Sequence, residues 1–401
     1  MTWFSRSTRS AGLLAAAALT LAILAPSLFP ASANGGEGDD DEGVVLSFST
    51  VGDSRQDPVT FDPTAAPLSA EDRIWLQNTK AWSRILNSVQ RQESNFLFFD
   101  GDMVMGYGWA KAPTDTSVNG IVGSDLMKFY RQYGFWRGMV AGLMQNGTYV
   151  VPVPGNHETQ CKACGKKAKV ENEDAWRANM GDLILDTNRF QSLFGEQPSN
   201  VDVSDNGALD GLTTNQSQLS FSFDFRGSHF AVINTDPAGK DAHAPAAWLD
   251  IDLAAAMARG AQHFFVFGHK PAYTYYYGAV TALPAAPSGL DSDVASRDVF
   301  WDVIEKYGAI YFCGHEHIFH ISQPRASDAD KPGKAWQVLV GSGGSPFEAS
   351  PTDVTISPRT DRDYAWATVK LYESGKVKIT AYGFDDHFGP THVIDKITLN
   401  P

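Results

Sequence analysis

Side chains with the chemistry of metal ligands follow several short apolar runs in this sequence. They are aspartate, asparagine and histidine residues, at Asp53, Asp102, Asn156, His157, His269, His315 and His317. Carboxylate oxygen, amide oxygen and imidazole nitrogen together suit borderline divalent or trivalent cations such as zinc, manganese or iron. If the five loops that carry these residues converge, the pattern predicts a metal site.

Each of these short motifs is weak by itself. A Gly-Asp pair after a strand is typical of an ordinary turn, and His269 can be a loop histidine with no ligand role. The segment Gly-His-Glu-His at 314–317 is more specific, because alternate histidines of an extended loop can reach two adjacent ions. The occurrence of all the motifs in one chain is what favours a metal site.

The elements that must position these residues alternate between strands and helices, which predicts a layered α/β fold. Apolar, β-prone runs predict strands at 44–51, 96–99, 149–153, 219–225, 229–234, 263–267 and 309–313. Helical spacing predicts helices at 71–92, 124–144, 173–180, 245–259 and 295–306. The tail predicts antiparallel strands at 336–340, 364–372 and 376–382. Because open α/β sheets bind ligands beyond the carboxyl ends of their strands, the metal-competent loops are expected to meet there.

The first 33 residues, 1–33, have the features of a secretory signal peptide. Arg6 and Arg9 give a positive start, residues 11–24 are apolar, and a small-residue Ala-Ser-Ala cleavage site lies at 31–33. An uncleaved membrane anchor is the alternative, although an apolar run of about 14 residues is short for a span, which takes roughly 20. The protein is therefore expected to be secreted or periplasmic.

The rest of the chain reads as a flexible acidic leader, 34–43, and a single domain, 44–401, with no further membrane span. The net charge of the whole chain is −14, and it becomes two units more negative if Arg6 and Arg9 are removed with the signal peptide. Nucleic-acid binding is not expected, because no basic stripe is present. Nuclease activity stays open, since bound metals reverse the local charge.

Two of the three cysteines lie close together, at Cys161 and Cys164. In an exported chain this spacing favours a local disulfide, and the neighbouring sequence does not supply the two further ligands that a zinc site needs. Cys313 ends an apolar run and is expected to be a buried, unreactive thiol.

The order of the motifs resembles that of the calcineurin-like metallophosphoesterases. Five motifs of the family match segments of this chain. They are the Asp loop at 52–53, Gly-Asp at 101–102, Gly-Asn-His-Asp/Glu at 155–158, Gly-His at 268–269 and Gly-His-x-His at 314–317. The resemblance spans about 44–319 and implies a four-layer α/β/β/α sandwich with two mixed sheets and a metal site at the C-terminal edge of the strands. The Gly-His-Lys-Pro segment at 268–271 and the tail strands place the purple acid phosphatases nearest.

The resemblance also implies a role for each matching residue. Two divalent or trivalent transition-metal ions (iron, zinc or manganese) would be bound, the first by Asp53 and His317 and both by a bridging Asp102. The second ion would take Asn156, His269 and His315, and Asn156 would also contact substrate. His157 would donate to the phosphoryl oxygens or protonate the leaving group, while a hydroxide that bridges the metals attacks phosphorus.

The first loop departs from the family pattern. Many members have a histidine two residues after the first aspartate, where this chain has Arg55, which cannot bind a metal. Purple acid phosphatases supply a tyrosine three residues after the bridging aspartate, where this chain has Met105. Tyr107 is therefore a possible metal ligand. Arg55 is expected either to bind the substrate phosphate or to form a salt bridge with a nearby acid such as Asp57.

Three functions fit these observations. The first is hydrolysis of a small phosphorylated organic monoester outside the cytoplasm, the second is phosphodiester hydrolysis at the same site, and the third is a silent binding protein. The intact His157 and His317 argue against the third. The cluster Tyr273, Tyr275, Tyr276 and Tyr277 suggests either an aromatic wall for the leaving group or plain packing.

Overall fold

The computed structural model describes residues 42–60, 67–275, 287–325, 333, 335–347 and 362–401. The predicted signal peptide, most of the predicted leader, Tyr276 and Tyr277 lie outside these residues. No helix within the described ranges is long and apolar enough to cross a membrane.

Strands account for much of the described chain. In chain order they are β1 (Val44–Val51), β2 (Phe96–Phe99), β3 (Tyr149–Pro152), β4 (Gln160–Cys161), β5 (Lys167–Ala168), β6 (Ser199–Asp202), β7 (Phe221–Phe225), β8 (Ser228–Val232), β9 (His263–Phe267), β10 (Ile310–Cys313), β11 (Phe319–Ser322), β12 (Trp336–Val340), β13 (Asp363–Tyr372), β14 (Val377–Asp385) and β15 (His392–Leu399).

Helices connect most of the parallel strands. They are α1 (Ala70–Arg91), α2 (Val118–Val122), α3 (Asp125–Gln145), α4 (Asn156–Thr159), α5 (Val170–Met180), α6 (Thr187–Phe194), α7 (Ala246–Ala258) and α8 (Val294–Tyr307). The two long ones begin at serine caps: Ser69 forms a capping box with Asp72, and the Ser124 side chain accepts from the Met127 amide.

Among the described residues the strands form two large mixed sheets and one short hairpin. The first sheet has the order β15-β14-β13-β1-β2-β3, in which β1, β2 and β3 are parallel. The second has the order β11-β12-β10-β9-β8-β7-β6, in which β12, β10, β9 and β8 are parallel. The hairpin pairs β4 with β5. The predicted α/β class with two mixed sheets is therefore confirmed.

Phenylalanine rings fill the space between the two large sheets. Phe98 of β2 stacks on Phe267 of β9 with ring centroids 3.8 Å apart, and Phe48 of β1 meets Phe312 of β10 at 5.7 Å. Strands buried on both faces need such continuous apolar runs, as in the Phe-Leu-Phe-Phe of β2. This packing brings the carboxyl ends of β1, β2, β3, β9 and β10 to one edge.

Helices cover the outer faces of the sheets. Trp82 of α1 and Trp136 of α3 pack on Phe99 of the first sheet, with ring centroids 5.0 and 5.2 Å from it. Phe300 of α8 packs on Tyr311 of the second sheet at 5.1 Å. Cys313 is buried and free, and a disulfide joins Cys161 and Cys164, as both predictions required.

Candidate metal and phosphate site

Tight backbone turns place the two aspartates at the edge of the first sheet. Asp53 and Asp102 both have positive φ angles, 63° and 53°, which are uncommon outside glycine. The Asp53 amide donates to the Gly101 carbonyl at 2.9 Å, which ties the two loops together. Gly101 has a φ of +84°, and a Cβ there would lie 2.6 Å from the His269 ring. Only glycine fits between the aspartate loop and that histidine.

Four potential ligand atoms of the site converge on one another. The Asn156 Oδ1 lies 2.8 Å from His269 Nε2 and 2.9 Å from His315 Nδ1. The same His269 Nε2 is 3.2 Å from Asp102 Oδ1. Potential ligand atoms of Asp102, His269 and His315 all lie within 4.8 Å of one another. One N–H on a ring cannot satisfy all of these contacts, whereas a cation at this position would.

Backbone carbonyls fix the orientation of two histidines in the site. The Nδ1–H of His269 donates to the Asp100 carbonyl at 2.8 Å, and that of His317 to the Pro346 carbonyl at 2.7 Å. Both rings therefore turn Nε2 towards the carboxylates of Asp102 and Asp53. Metal-binding histidines usually donate their second N–H in this way, because the bond fixes tautomer and ring orientation.

Asp53 and His317 form a second, looser group beside the first. His317 Nε2 lies 3.6 Å from Asp53 Oδ1, and that buried oxygen has no hydrogen-bond partner among the described residues. The other oxygen, Asp53 Oδ2, accepts from the His315 amide at 2.8 Å. A buried carboxylate oxygen without a donor is costly, so this position also fits a cation.

Electrostatics within the site favour the addition of positive charge. Burial opposes the charged form of His269, yet the Asp102 carboxylate outweighs it and raises the pKa of His269 to about 10. Burial raises the pKa of Asp53 well above its usual value. Burial and the Arg55 guanidinium lower the pKa values of His157 and His317 to about 3. These two rings are therefore neutral near pH 7 and keep a free lone pair.

His157 begins the short helix α4 and borders the same cavity. Its Nδ1–H donates to the Met105 carbonyl at 2.5 Å, and its Nε2 lies 3.5 Å from Asp102 Oδ2. Its backbone amide donates to Asp102 Oδ1 at 2.9 Å. The ring is thus held with Nε2 facing the bridging carboxylate.

Arg55 points into the cavity and not towards Asp57. Its Nη2 donates to Met105 Sδ at 3.6 Å, and its buried Nε has no partner among the described residues. Asp57 instead accepts from Gln132 at 2.9 Å. The salt bridge to Asp57 is therefore not formed, because the turn at Arg55 directs the guanidinium to the other side.

The tyrosines divide between the cavity and the core. The Tyr107 hydroxyl accepts from the Asn156 amide nitrogen, and the Tyr107 ring lies 3.7 Å from that of His157. Tyr273 accepts from Arg325 Nε at 2.8 Å and packs on Trp301. Tyr275 stacks on His320 at 3.5 Å. Of the described tyrosines, only Tyr107 borders the cavity at Asp102, while Tyr273 and Tyr275 have the contacts of the packing alternative.

Glu158 supports the site and was not singled out from the sequence. Its buried carboxylate accepts from the amides of Asp102 and Gly155, both at 2.8 Å, and from that of Val104 at 3.2 Å. It therefore fixes the aspartate loop against the loop after β3. Its place in the Gly-Asn-His-Glu motif was the available signal.

The cavity between these groups has a volume of about 120 Å³. It is lined by Arg55, Asp102, Tyr107, Asn156, His157, Lys162, Lys166, His315 and His317. A small anion beside two cations would meet the guanidinium, an imidazole and the carboxamide at once.

Comparison with one solved structure supports the fold. A purple acid phosphatase from yellow lupin (Lupinus luteus) seeds has 14% identity, with a TM-score of 0.53, and the match covers 90% of this chain and 54% of that one. PhoD has 12% identity and a TM-score of 0.48, and the match covers 88% of this chain and 72% of PhoD. A dimetal phosphatase from Danio rerio has 13% identity and a TM-score of 0.43, and the match covers 89% of this chain and 99% of that one. The chain thus spans about half the length of the lupin enzyme.

Sequence comparison identifies the family. Among curated proteins, none matches the chain in sequence. A family model described as calcineurin-like phosphoesterase matches residues 75–319, which include every site residue named above except Asp53 and Arg55. More than half of the chain is covered, and the chain belongs to the calcineurin-like phosphoesterase family.

Proposed function

We propose that the protein is an exported, two-metal hydrolase of small phosphate monoesters. The observation that carries this proposal is the convergence of potential ligand atoms of Asp102, Asn156, His269 and His315 at the edge where the parallel strands end. The family implies divalent metal ions, and this donor set fits them.

The ligands divide between two ions. Asp53 and His317 would hold the first, Asp102 would bridge, and Asn156, His269 and His315 would hold the second. The mixture of oxygen and imidazole nitrogen suits iron, zinc or manganese. When bound, two such ions lower the pKa of the attacking water and stabilise the attacking and leaving oxygens of an in-line displacement.

The chain's own residues supply the remaining chemistry. The planar guanidinium of Arg55, whose buried Nε has no partner among the described residues, is suited to bind non-bridging phosphoryl oxygens. His157 Nε2 is unprotonated in the neutral ring, so it would take up a proton as the anionic substrate binds and then pass that proton to the leaving-group oxygen. The Met105 carbonyl holds the opposite ring nitrogen at 2.5 Å, which keeps Nε2 directed at the cavity. Tyr107 holds the Asn156 amide nitrogen, and the Asn156 oxygen faces His269 and His315, with which it would hold the second ion.

Export rests on the features of residues 1–33 and on the disulfide. A Cys161–Cys164 bond persists in an oxidising compartment, as expected outside the cytoplasm. The protein is proposed to be secreted or periplasmic, with a single domain over 44–401 after the leader.

The decisive test combines metal analysis with paired substrates. The purified protein is expected to bind about two transition-metal ions per chain and to hydrolyse 4-nitrophenyl phosphate faster than bis(4-nitrophenyl) phosphate. Faster cleavage of the diester would favour the phosphodiesterase alternative. Binding of metal without cleavage of either ester would favour the silent binding protein, and failure to bind metal after reconstitution would refute the proposal.

A further inference from the structure

A positively charged hairpin lies beside the candidate metal site. Strands β4 and β5 pair Gln160 with Ala168 and Cys161 with Lys167, and the turn between them carries Lys162 and Lys166. Three lysines within six residues, 162–167, are unusual in a chain with a net charge of −14. Their position next to a site for anionic substrates gives this local reversal of charge a possible role.

Covalent and backbone bonds hold the hairpin in a fixed position relative to the site. The Cys161–Cys164 disulfide closes the turn, and the Lys162 amide donates to the Tyr107 carbonyl at 2.9 Å. The Tyr107 amide in turn donates to the His157 carbonyl at 3.0 Å. The hairpin is therefore connected to the residue proposed to protonate the leaving group through only two hydrogen bonds.

The two lysines in the turn face the cavity as charges without an acidic partner. Lys162 and Lys166 line the 120 Å³ cavity together with Asp102 and His157, and neither forms an ion pair within the described part of the chain. Lys167, by contrast, pairs with Asp241 at 3.2 Å. Both lysines in the turn are exposed, so their ammonium groups are free to meet a ligand that enters from solvent.

Two larger cavities adjoin the site on either side of Tyr107. One, of about 420 Å³, is bordered by Lys162, and the other, of about 330 Å³, is bordered by Lys166. Each offers space for the part of a substrate that lies beyond its scissile phosphate. Because both lysines also line the 120 Å³ cavity between these spaces, two positive charges are available to one second phosphate, which carries a double negative charge.

We propose that Lys162 and Lys166 form a subsite for a second phosphate group, so that the preferred substrates are small organic bisphosphates. This inference rests on the proposed phosphomonoesterase function. Arg55 and the metal site would hold the scissile phosphate, while the lysines of the stapled hairpin hold the other one. The hairpin thereby explains why a strongly acidic protein keeps unpaired lysines at this position.

The test compares butane-1,4-diol bisphosphate with butane-1,4-diol monophosphate, which differ only in a second phosphate group at the far end of the leaving alcohol. The metal-loaded, full-length mature protein is assayed for phosphate release, and kcat/KM is divided by two for the bisphosphate because it has two equivalent ends. We expect the bisphosphate to be favoured by about fivefold or more per phosphate, the range that two exposed ion pairs provide. The preference should decline as salt rises from 0.05 to 0.5 M, since salt screens exposed charges.

Variants separate the subsite from a general effect of charge. The double variant Lys162→Gln/Lys166→Gln should lose the preference, because its KM should rise more for the bisphosphate than for the monophosphate. Lys396→Gln, on the exposed strand β15, removes one charge far from the cavity and should keep the preference. A preference that survives the double variant, or that Lys396→Gln reduces as strongly, would overturn the proposal.

Binding distinguishes failure of the subsite from failure of the proposed function. If the wild type cleaves the monophosphate without favouring the bisphosphate, the subsite is wrong and the phosphatase function stands. If it cleaves neither, calorimetry with butane-1,4-bisphosphonate and butylphosphonate still measures the subsite. Tighter binding of the bisphosphonate that depends on the two lysines would support it, and equal affinities would refute it.

Discussion

Two buried clusters in this protein combine histidine with aspartate, and they differ in how their hydrogen bonds are satisfied. In the structural cluster, on the second sheet, His229 Nδ1 lies 2.6 Å from Asp224 Oδ1 and Nε2 lies 2.9 Å from Asp252 Oδ2. Arg259 also donates to Asp224, and Ser222 to Asp252. Every carboxylate there receives donors, so the cluster is complete without a ligand.

In the candidate metal site the same residue types are arranged in the opposite way. Oxygens of Asp102 and Asn156 crowd around the ring nitrogens of His269 and His315, and the buried Asp53 Oδ1 beside them has no hydrogen-bond partner among the described residues. The available N–H groups do not satisfy all of these oxygens, and a cation would make the contacts favourable. Residue type and burial alone do not distinguish the two clusters, whereas the pattern of donors does.

The largest expected effect separates the clusters by metal content. His269→Ala should lower bound metal from about two ions per chain to about one, and lower kcat/KM by at least about 10³-fold, since bound metal supplies several kcal/mol of transition-state stabilisation. His229→Ala should leave the metal content of the folded protein unchanged. The measurement is elemental analysis of both variants. Equal loss of metal in both would contradict the distinction between a metal-binding and a structural cluster.

His157 tests whether every histidine of the site binds metal. His157→Ala should reduce kcat by about 10²–10⁴-fold, the usual range for a general acid–base group, while metal content stays normal. The bond from its Nδ1 to the Met105 carbonyl orients the ring in the way that a metal-binding histidine is oriented. The geometry is therefore compatible with both a ligand role and an acid–base role. Loss of metal in the variant would move His157 into the ligand set.

The structural cluster is expected to contribute to the free energy of unfolding. His229→Ala leaves two carboxylates without their shared partner and should cost about 3–5 kcal/mol of unfolding free energy. Burial alone lowers the pKa of His229, but hydrogen bonds to Asp224 and Asp252 raise this pKa above its usual value. The stabilisation is then complete below about pH 6.5 and is lost as the pH rises through the folded pKa.

Urea unfolding at pH 6 and pH 9 checks this dependence. The difference in unfolding free energy between wild type and His229→Ala should be larger at pH 6. A difference that grows towards pH 9 would show that His229 is neutral in the folded protein, and the cluster would then need another explanation.

Arg55 should affect substrate binding and not metal binding. Arg55→Ala should lower kcat/KM by roughly 10–150-fold, which corresponds to loss of a hydrogen bond to a charged group. Arg55→His restores a possible ligand, so metal affinity at the first position should hold or rise while phosphate binding falls. Arg259→Ala, at the exposed edge of the structural cluster, is the matched control and should change kcat/KM little. Wild-type kinetics in both Arg55 variants would end the phosphate-binding role.

The sequence predicted most of the elements that position the site. Continuous apolar runs such as Phe96–Phe99 and His263–Phe267 gave strands with the observed bounds, because strands buried on both faces have no other pattern. The segments Thr187–Phe194, Ser199–Asp202 and His392–Leu399 were missed. The last two are mostly exposed at sheet edges and lack a continuous apolar signal.

The sequence predicted which residues reach the site better than it predicted what they contact there. The order of the motifs placed Asp53, Asp102 and His315 at strand ends, where all three adopt positive φ angles that no periodicity indicates. Those angles direct Arg55 into the cavity and away from Asp57. They also depend on contacts between loops that are distant in sequence, such as the bond from the Asp53 amide to the Gly101 carbonyl.

The smallest expected effect concerns Tyr107, which the sequence left as a possible metal ligand. The structure places its hydroxyl on the Asn156 amide nitrogen and its ring against His157. A residue that only orients Asn156 contributes one hydrogen bond, about 0.5–1.5 kcal/mol, so Tyr107→Phe should lower kcat/KM by about 2–12-fold and keep two metal ions. Tyr133→Phe is the matched control, because it removes a buried hydroxyl that has no hydrogen-bond partner among the described residues.

If Tyr107 binds the first ion instead, Tyr107→Phe should reduce metal content to about one ion per chain after dialysis. Metal titration of the two variants then decides whether the first position is completed by a protein side chain.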